Sequence, residues 1–285
     1  MTEYKTSASF VPQLTTTVLS YLSPEPTDHI LDIGCGDGPL TEHIASLVPQ
    51  GSVLGLDASP SMIKTAQEEH SSLPNISFQV ADCADLSTSA PDLLASARTA
   101  PRFTKIFSNA AFHWILRSPH SRTNPTVFSH LCTLLRPGGR LVLEAGGAGN
   151  VAEVYTALTA ALVTHGGVAS VAAAREASPW YFADEGWMRD ALAEAGFEVE
   201  RVEKEYRPTR LTTDEGGGVE GWVRLFGKQF LEAVQGADEQ EREKRREDVV
   251  KWVVEAMRSS CEREDGSWWL GYVRLRAVAR KPSAA

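Results

Sequence analysis

The stretch His29-Ile-Leu-Asp-Ile-Gly-Cys-Gly-Asp-Gly-Pro-Leu-Thr41 decides the fold. Its apolar residues between Ile30 and Ile33 predict a short buried strand, and the three glycines that follow predict a tight turn. Apolar residues from Leu40 to Val48 then recur with the spacing of a helix. Strand, glycine turn and helix in this order are typical of the entrance to a nucleotide site in an open α/β sheet.

The residues of the turn narrow the choice of ligand. A dinucleotide fingerprint needs a glycine at position 39, where this chain has Pro39, which offers no N–H to a pyrophosphate. Asp37 lies at the same helix start and repels phosphate, and no lysine follows the last glycine as a Walker loop requires. The turn therefore favours an adenosine ligand that lacks phosphate and carries a cation for Asp32. S-adenosylmethionine has this profile, and NAD is disfavoured.

The heptapeptide Asp32-Ile-Gly-Cys-Gly-Asp-Gly38 resembles motif I of the class I S-adenosylmethionine-dependent methyltransferases. The alternative is an ordinary glycine turn in an α/β protein. The resemblance implies a Rossmann-like, mostly parallel seven-stranded sheet with helices on both faces and helical cap insertions. It also implies S-adenosyl-L-methionine as cofactor and S-adenosyl-L-homocysteine as product.

Residues at the ends of successive predicted strands extend the cofactor site. Asp57 ends the second strand, where a carboxylate can accept both ribose hydroxyls, although an acid before Ser59 also suits a helix cap. The family resemblance implies that Asp82 meets the adenine amino group, that the next backbone N–H meets a ring nitrogen, and that the strand end at Asn109 holds the methionine end. The predicted cofactor-binding residues are Asp32, Gly34, Cys35, Gly36, Asp57, Ala58, Met62, Asp82, Cys83, Asn109 and Ala110.

Composition and charge limit the class of protein. The chain has 285 residues, 42% of them hydrophobic, which suffices for one large domain. The formal net charge of −9 argues against a nucleic-acid-binding face. The four cysteines are scattered without a metal-binding or redox spacing, and the first residues lack the apolar run of a signal peptide. We therefore expect a cytoplasmic protein with reduced thiols, no metal, no membrane span and an undetermined oligomeric state.

Strand and helix patterns alternate along most of the chain and predict a parallel sheet with right-handed crossovers. We expect one methyltransferase domain over residues 1–285. Its predicted parts are an N-terminal lid (1–27), a cofactor-binding core (28–147), cap insertions (148–183 and 212–265), and segments that complete the sheet (184–211 and 268–281). Ser59 and Asp184 are placed to begin helices, and Gly196 is placed to end one.

The acceptor is less well defined by the sequence. Ser108-Asn-Ala-Ala-Phe112 replaces the Asn-Pro-Pro-Tyr motif of amide and exocyclic-amine methylases, and no metal cluster suggests a catechol site. A phenol or an amine needs a general base, whereas a carboxylate needs only an electropositive pocket. Four stretches resemble the trans-aconitate methyltransferase group: Phe107-Ser-Asn-Ala-Ala-Phe-His-Trp114, Leu135-Arg-Pro-Gly-Gly-Arg-Leu141, Trp222-Val-Arg-Leu-Phe226 and Gly271-Tyr-Val-Arg-Leu-Arg-Ala-Val-Ala-Arg280.

This second resemblance implies an O-methyltransferase that forms the methyl ester of a small carboxylic acid. His113 is the candidate catalytic residue, with a positioning role rather than that of a base. The candidate substrate-binding residues are His113, Trp114, Arg117, Trp180, Tyr181, Trp222 and Arg224. The alternatives are a secondary-metabolite methyltransferase that acts on a phenol, amine or carbon, and a non-catalytic adenosyl-binding module.

Overall fold

A computed structural model describes residues 16–70, 72–117, 126–212 and 218–283. The described residues contain a sheet of seven strands in the order β3-β2-β1-β4-β5-β7-β6. The strands are β1 (His29–Ile33), β2 (Ser52–Asp57), β3 (Ile76–Val80), β4 (Phe103–Asn109), β5 (Leu135–Gly146), β6 (Glu198–Arg210) and β7 (Trp269–Arg280). The pairs from β3 to β5 are parallel, whereas β7 runs antiparallel to β5. This topology confirms the predicted mostly parallel seven-stranded sheet.

The burial of the strands explains why they pair as they do. In β1, Ile30 to Ile33 are all buried, and β2 and β4 are similarly enclosed, as central parallel strands are. β3 pairs only with β2 at one edge, and its residues are half-buried or exposed. Because β1 to β5 run parallel, their carboxyl ends lie at the same end of the sheet, where ligands bind in folds of this type.

Two strands differ from their predicted extent. The sequence predicts a turn at Leu135–Arg140 before a strand over 141–144, whereas the structure incorporates the turn into β5. Phe103 pairs with Leu135 and Lys105 pairs with Arg140, so the intervening residues of β5 form an irregularity in which Gly138 has a φ of +75°. The sequence pattern predicts a strand over Phe197–Tyr206, whereas β6 continues to Arg210.

The helices begin and end largely where local signals predict. Ser59 accepts the backbone N–H of Met62, which confirms its predicted N-cap role. Asp184 accepts the backbone N–H of Trp187 and so caps the helix that the sequence predicts to begin there. Gly196 has a φ of +91°, the left-handed conformation expected at a helix end. The described helices are α1 (Thr16–Leu22), α2 (Pro39–Leu47), α3 (Pro60–Glu69), α4 (Leu86–Ser89), α5 (Pro91–Thr99), α6 (Phe112–Ile115), α7 (Thr126–Leu134), α8 (Ala152–Thr164), α9 (Val171–Glu176), α10 (Glu185–Glu194), α11 (Gly218–Phe226), α12 (Lys228–Glu232) and α13 (Glu239–Cys261).

Residue contacts divide the chain into two compact units. The first, here called the sheet unit, comprises Thr15–Ala148, Phe182–Glu205 and Arg274–Ala285. One cluster of its core joins α1, α2 and the strands through buried residues that include Val18, Ile30, Ile44, Phe107 and Val278.

The second, here called the helical unit, comprises Gly149–Tyr181 and Tyr206–Val273. Within it α8 packs on α13, and both helices bury apolar side chains. Both predicted cap insertions fall mainly in this unit. Of the predicted lid, residues 1–15 lie outside the described residues. None of the described helices combines the length and apolarity needed to cross a bilayer.

Candidate active site

The turn after β1 has the conformation that its glycines allow. Gly34, Gly36 and Gly38 have φ values of +73°, +58° and +94°, in the region that favours glycine. A Cβ atom on Gly34 would lie 2.2 Å from the Cβ of Ala111, so this glycine is required by packing. A Cβ on Gly36 would meet nothing within 4 Å. The backbone at Gly36 is therefore open to the close approach of a ligand.

Asp57 braces this turn from the end of β2. One carboxylate oxygen accepts the N–H of Gly36 at 3.0 Å, and the other accepts the N–H of Ser59 at 2.9 Å. Each oxygen of an ionised carboxylate has a second lone pair, so two further donors can still bind. Ala58 follows directly, and Met62 lies half-buried in the first turn of α3. Asp57 therefore has the helix-flanking structural role that the sequence allows, and its ribose contact stays a prediction.

Asp32 is a buried carboxyl group at the centre of the site. It is 3% exposed, and one of its oxygens accepts the hydroxyl of Thr41 at 2.6 Å. Burial raises the pKa of Asp32 to about 7, and the charge of Asp57 adds to this effect although the Thr41 hydrogen bond opposes it. Among the described residues no cation forms an ion pair with this carboxyl. A cationic ligand group beside it would favour its ionised form.

The strands β3 and β4 contribute the remaining predicted cofactor residues. The exposed side chain of Asp82 accepts the N–H of Ala84 at 2.9 Å and begins the short 3₁₀ turn Cys83–Asp85. The side-chain oxygen of Asn109 is buried and has no hydrogen-bond partner among the described residues. Ala110 has a φ of +58°, a strained conformation for a residue other than glycine. Such strain and an unsatisfied acceptor are features of ligand-binding positions.

Two cysteines beside the turn are unsuited to nucleophilic chemistry. Burial raises the pKa of the Cys83 thiol to about 12, and burial together with the charges of Asp32 and Asp57 raises the pKa of the Cys35 thiol. Both groups are therefore protonated at neutral pH, and the thiolate is the reactive form. All four cysteines are free thiols, and the described residues contain no cluster of side chains arranged to hold a metal ion.

His113 lies in α6, directly after the end of β4. Its Nδ1 accepts the backbone N–H of Gly146 at 3.3 Å, so in the neutral ring the proton resides on Nε2. Burial, together with the guanidinium of Arg274, lowers the pKa of His113 to about 3. At neutral pH the side chain is consequently a hydrogen-bond donor through Nε2–H. The rings of Trp114 and Phe182 flank it, with centroids 5.6 Å and 5.8 Å away.

The structure adds three charged residues that the sequence analysis does not assign to the site. Glu144 at the end of β5 is buried between two arginines of β7, Arg274 and Arg276. The antiparallel register places Arg276 opposite Glu144 and Arg274 opposite Gly146. A sequence signal was present, because two arginines spaced by one residue interrupt the run of mostly apolar residues from Trp269 to Ala279. Their position beside Glu144 depends on the pairing of β7 with β5.

The structure places the other predicted substrate-binding residues in the segment that follows α6 and in the helical unit. Arg117 is exposed at the end of the described segment that follows α6. Trp180 and Trp222 are buried in the helical unit with ring centroids 6.0 Å apart, and the Trp222 indole donates to the hydroxyl of Tyr272 at 2.7 Å. The half-buried Tyr181 follows Trp180 in the same unit.

Arg224 is held by two carboxylates rather than poised for an acid. It donates to Glu247 at 2.8 Å and to Glu220 at 2.7 Å, and these partners raise its pKa, Glu247 most strongly. Its guanidinium is committed to a surface ion-pair network of α11 and α13. The packing of Trp180 and Trp222 and the ion pairs of Arg224 favour structural roles, so these residues are not part of the proposal below.

Comparison with known proteins provides an independent view. Residues 24–177 match a family model described as a methyltransferase domain. Over 280 residues the chain is 37% identical to an uncharacterised methyltransferase of Schizosaccharomyces pombe. This alignment covers 98% of this chain and 96% of that protein. The chain is also 35% identical over 127 residues to trans-aconitate 2-methyltransferase of Deinococcus radiodurans. That alignment covers 44% of this chain and 41% of that protein.

A solved structure from Bacillus halodurans, of a protein taken to be a methyltransferase, has a similar fold. Its TM-score is 0.57 at 17% identity, and the match covers 95% of this chain and 100% of that chain.

Proposed function

We propose that this chain, which belongs to the S-adenosylmethionine-dependent methyltransferases, forms the methyl ester of a small carboxylic acid. Membership of the family confirms the resemblance carried by Asp32–Gly38. The protein is accordingly an enzyme whose cofactor is S-adenosyl-L-methionine. The acceptor acid and the residues that bind cofactor and acid are our proposal.

The residues at the strand ends suit this cofactor. We assign the ribose hydroxyls to the remaining lone pairs of Asp57, and we assign the adenine to Asp82, the backbone at Cys83 and the side chain of Met62. The open backbone at Gly36 permits close approach. The unsatisfied oxygen of Asn109 is an acceptor suited to the ammonium group of the methionine end.

Asp32 completes this assignment as the buried counter-charge of the cofactor. An ammonium group close to Asp32 offsets the desolvation that raises the pKa of its carboxyl. A ligand with phosphates in this position would instead place like charges beside Asp32 and Asp57. The charge of the site therefore supports a cationic adenosine cofactor.

The observation that carries the acceptor assignment is the protonation state of His113. Its Nδ1 is engaged by Gly146, and its lowered pKa makes it a weak base at neutral pH. A phenol or an amine has to lose a proton to a base during methylation. A carboxylic acid is already ionised, because carboxyl groups titrate near pH 4. The Nε2–H of His113 can then donate to the bound carboxylate and orient it.

The reaction further requires that the carboxylate is aligned with the methyl group and that water is excluded from the site. When bound, the cofactor supplies a methyl group whose bond to sulfur breaks as a bond to a carboxylate oxygen forms, and no proton is transferred. The protein has to align the carboxylate with this bond and exclude water. The aromatic rings of Trp114 and Phe182 beside His113 provide apolar surface for this purpose. The partial similarity to a trans-aconitate 2-methyltransferase supports an acid of this kind.

The test is a methyl-transfer screen with radiolabelled cofactor over mono-, di- and tricarboxylic acids. Phenols, amines and the primary amides of the same acids form the comparison set. We expect labelled methyl ester from at least one acid and none from its amide, and the ester identity is checked by its release in mild alkali. If only phenols or amines are labelled, the acceptor is a group that loses a proton and the carboxylic acid assignment is wrong. If the protein binds the cofactor but methylates no compound, both acceptor assignments are wrong.

A further inference from the structure

The hydroxyl of Thr41 bonds outside its own helix, unlike that of a comparable threonine elsewhere in the chain. Thr41 lies in the first turn of α2 and is fully buried. Its hydroxyl donates to the Oδ2 atom of Asp32 at 2.6 Å, which is nine residues earlier and on the other side of the glycine turn. The buried Thr159 of α8 instead donates to the carbonyl oxygen of Tyr155 in the same helix at 2.8 Å. The contact of Thr159 is the ordinary one for a threonine within a helix.

The hydrogen bond from Thr41 fixes the orientation of the Asp32 carboxyl group. The torsion that turns an aspartate carboxyl group about its Cβ–Cγ bond has broad minima, so burial alone does not determine which oxygen faces a ligand. Thr41 engages Oδ2, and among the described residues no donor forms a hydrogen bond with Oδ1. Oδ1 is therefore the oxygen that remains for a donor from a ligand.

The surroundings of Asp32 make this hydrogen bond important for its charge. Among the described residues, the titratable groups around Asp32 are Asp57 at the end of β2 and the thiols of Cys35 and Cys83, none of which is a cation. Burial raises the pKa of Asp32, the Thr41 hydroxyl lowers it, and the charge of Asp57 raises it further. Thr41 thus favours the ionised carboxyl group that a cationic ligand needs.

We propose that Thr41 is a positioning residue of the cofactor site, which holds the Asp32 carboxyl group so that Oδ1 faces the ammonium group of S-adenosyl-L-methionine. The inference rests on the assignment of that ammonium group to Asp32 in the proposed function. The Thr41 hydroxyl is committed to Asp32, so it acts through that residue and not on the reacting atoms. Loss of the hydroxyl leaves a carboxyl group that rotates more freely and ionises less readily, and a cationic ligand then binds less well.

The experiment compares the calorimetric affinities of the whole chain for two ligands that differ in the ammonium group. S-adenosyl-L-homocysteine carries this group, whereas 5′-methylthioadenosine has the same adenosine and a thioether but lacks the amino-acid end. Thr41→Val removes the hydroxyl with little change of shape, and Thr41→Ser keeps it. Thr159→Val is the matched control, because it removes a buried helical hydroxyl that bonds only within its own helix.

Affinities are measured between pH 6 and pH 7.5, and the thermal midpoint of each variant checks the fold. The ratio of variant to wild-type affinity at each pH removes the titration of the ligand itself.

We expect Thr41→Val to bind S-adenosyl-L-homocysteine about tenfold more weakly than the wild type at pH 6 and about threefold more weakly at pH 7.5. Loss of one hydrogen bond to the ionised carboxyl group should raise the pKa of Asp32 from about 7 by about one unit, which matters less as the pH rises and both proteins ionise. Thr41→Ser should stay within about twofold of the wild type at each pH, because it keeps the donor. Thr159→Val should match the wild type with both ligands, and Thr41→Val should bind 5′-methylthioadenosine as the wild type does.

Three results would overturn the inference. The first is an unchanged affinity of Thr41→Val for S-adenosyl-L-homocysteine. The second is an equal loss of affinity for both ligands, which would mean that the substitution distorts the site. The third is a loss that Thr41→Ser shares, which would mean that the hydroxyl is not the group that matters. If Thr41→Val does not fold, Thr41→Ala removes the same hydroxyl without adding volume and is judged by the same comparisons.

Asp32→Asn separates this inference from the proposed function. If Asp32→Asn binds S-adenosyl-L-homocysteine as well as the wild type does, the assignment of the ammonium group to Asp32 is wrong and the inference fails with it. If Asp32→Asn binds more weakly but Thr41→Val does not, the assignment stands and the inference alone fails.

Discussion

Replacing Asp32 by asparagine gives the sharpest test of the electrostatics of the site. Asp32 is a buried carboxyl whose pKa is raised to about 7, first by burial and then by the charge of Asp57. Asparagine keeps the shape of the side chain and an oxygen that can accept the Thr41 hydroxyl, but it cannot ionise. The substitution therefore isolates the cost of ionising a carboxyl in this position.

The direction and size of the effect follow from the two protonation states. The unfolded chain releases this proton near the ordinary pKa of about 3.9, whereas the folded protein retains it up to about pH 7. Between these values the folded state binds more protons, so the free energy of unfolding falls as the pH rises. A shift of roughly three units at about 1.4 kcal/mol per unit corresponds to a loss of about 4 kcal/mol above pH 7, of which about 2 to 3 kcal/mol develops between pH 5 and pH 8.

Asp32→Asn should lose this pH dependence. The quantity to compare is the free energy of unfolding of the cofactor-free variant minus that of the wild type. We expect this difference to be about 2 to 3 kcal/mol larger at pH 8 than at pH 5. This corresponds to a relative gain of about 5 °C in thermal midpoint for a chain of this size. The measurement is a set of thermal or urea unfolding curves at half-unit pH intervals. The control is Asp82→Asn, since Asp82 is an exposed carboxylate that follows β3.

The same variant should bind the cofactor less well, because it no longer supplies a counter-charge for the ammonium group. Greater stability combined with weaker binding would identify Asp32 as a functional residue that costs stability. Parallel pH profiles for wild type and Asp32→Asn would refute the reasoning, since they would mean that the buried carboxyl has no raised pKa. Unchanged cofactor affinity would refute the proposal that Asp32 pairs with the ammonium group of the cofactor.

Two further variants test the other assigned roles. Asp57→Ala should weaken S-adenosyl-L-methionine binding by roughly 1.5–3 kcal/mol for each charge-assisted hydrogen bond to the ribose, and it should also loosen the turn at Gly36. Asp57→Asn can keep one backbone contact and should therefore lose less affinity. Calorimetric affinities equal to that of the wild type would exclude the ribose role. His113→Asn should raise KM more than it lowers kcat, and wild-type kcat should stay flat with pH above about 6.5, because the lowered pKa of His113 removes any ascending limb in that range. An ascending limb near pH 6.5 that disappears in His113→Asn together with most of kcat would instead identify His113 as a general base.

Much of the fold followed from local sequence signals. The apolar residues before the glycines at 34, 36 and 38 predict β1 and its turn, and the structure has both, because positive φ angles are available to glycine at little cost. Ser59 and Asp184 begin helices as predicted, since a capping side chain needs only backbone groups two or three residues away. The alternation of strands and helices predicted the parallel sheet, and the strand ends predicted where Asp57, Asp82 and Asn109 lie.

Features that depend on distant parts of the chain were decided by tertiary structure. The pairing of β5 with β7 places Arg274 and Arg276 beside Glu144, although more than a hundred residues separate them in the sequence. The same pairing holds Gly146 where its N–H sets the tautomer of His113, and burial beside Arg274 sets its pKa. The contacts of Trp222 with Tyr272 and of Arg224 with Glu220 and Glu247 likewise depend on tertiary structure, and the predicted substrate role of both residues stays a prediction. Residue types and spacing determine which chemistry a segment can perform, whereas register, burial and neighbouring charge decide which protonation state and which partner each side chain has.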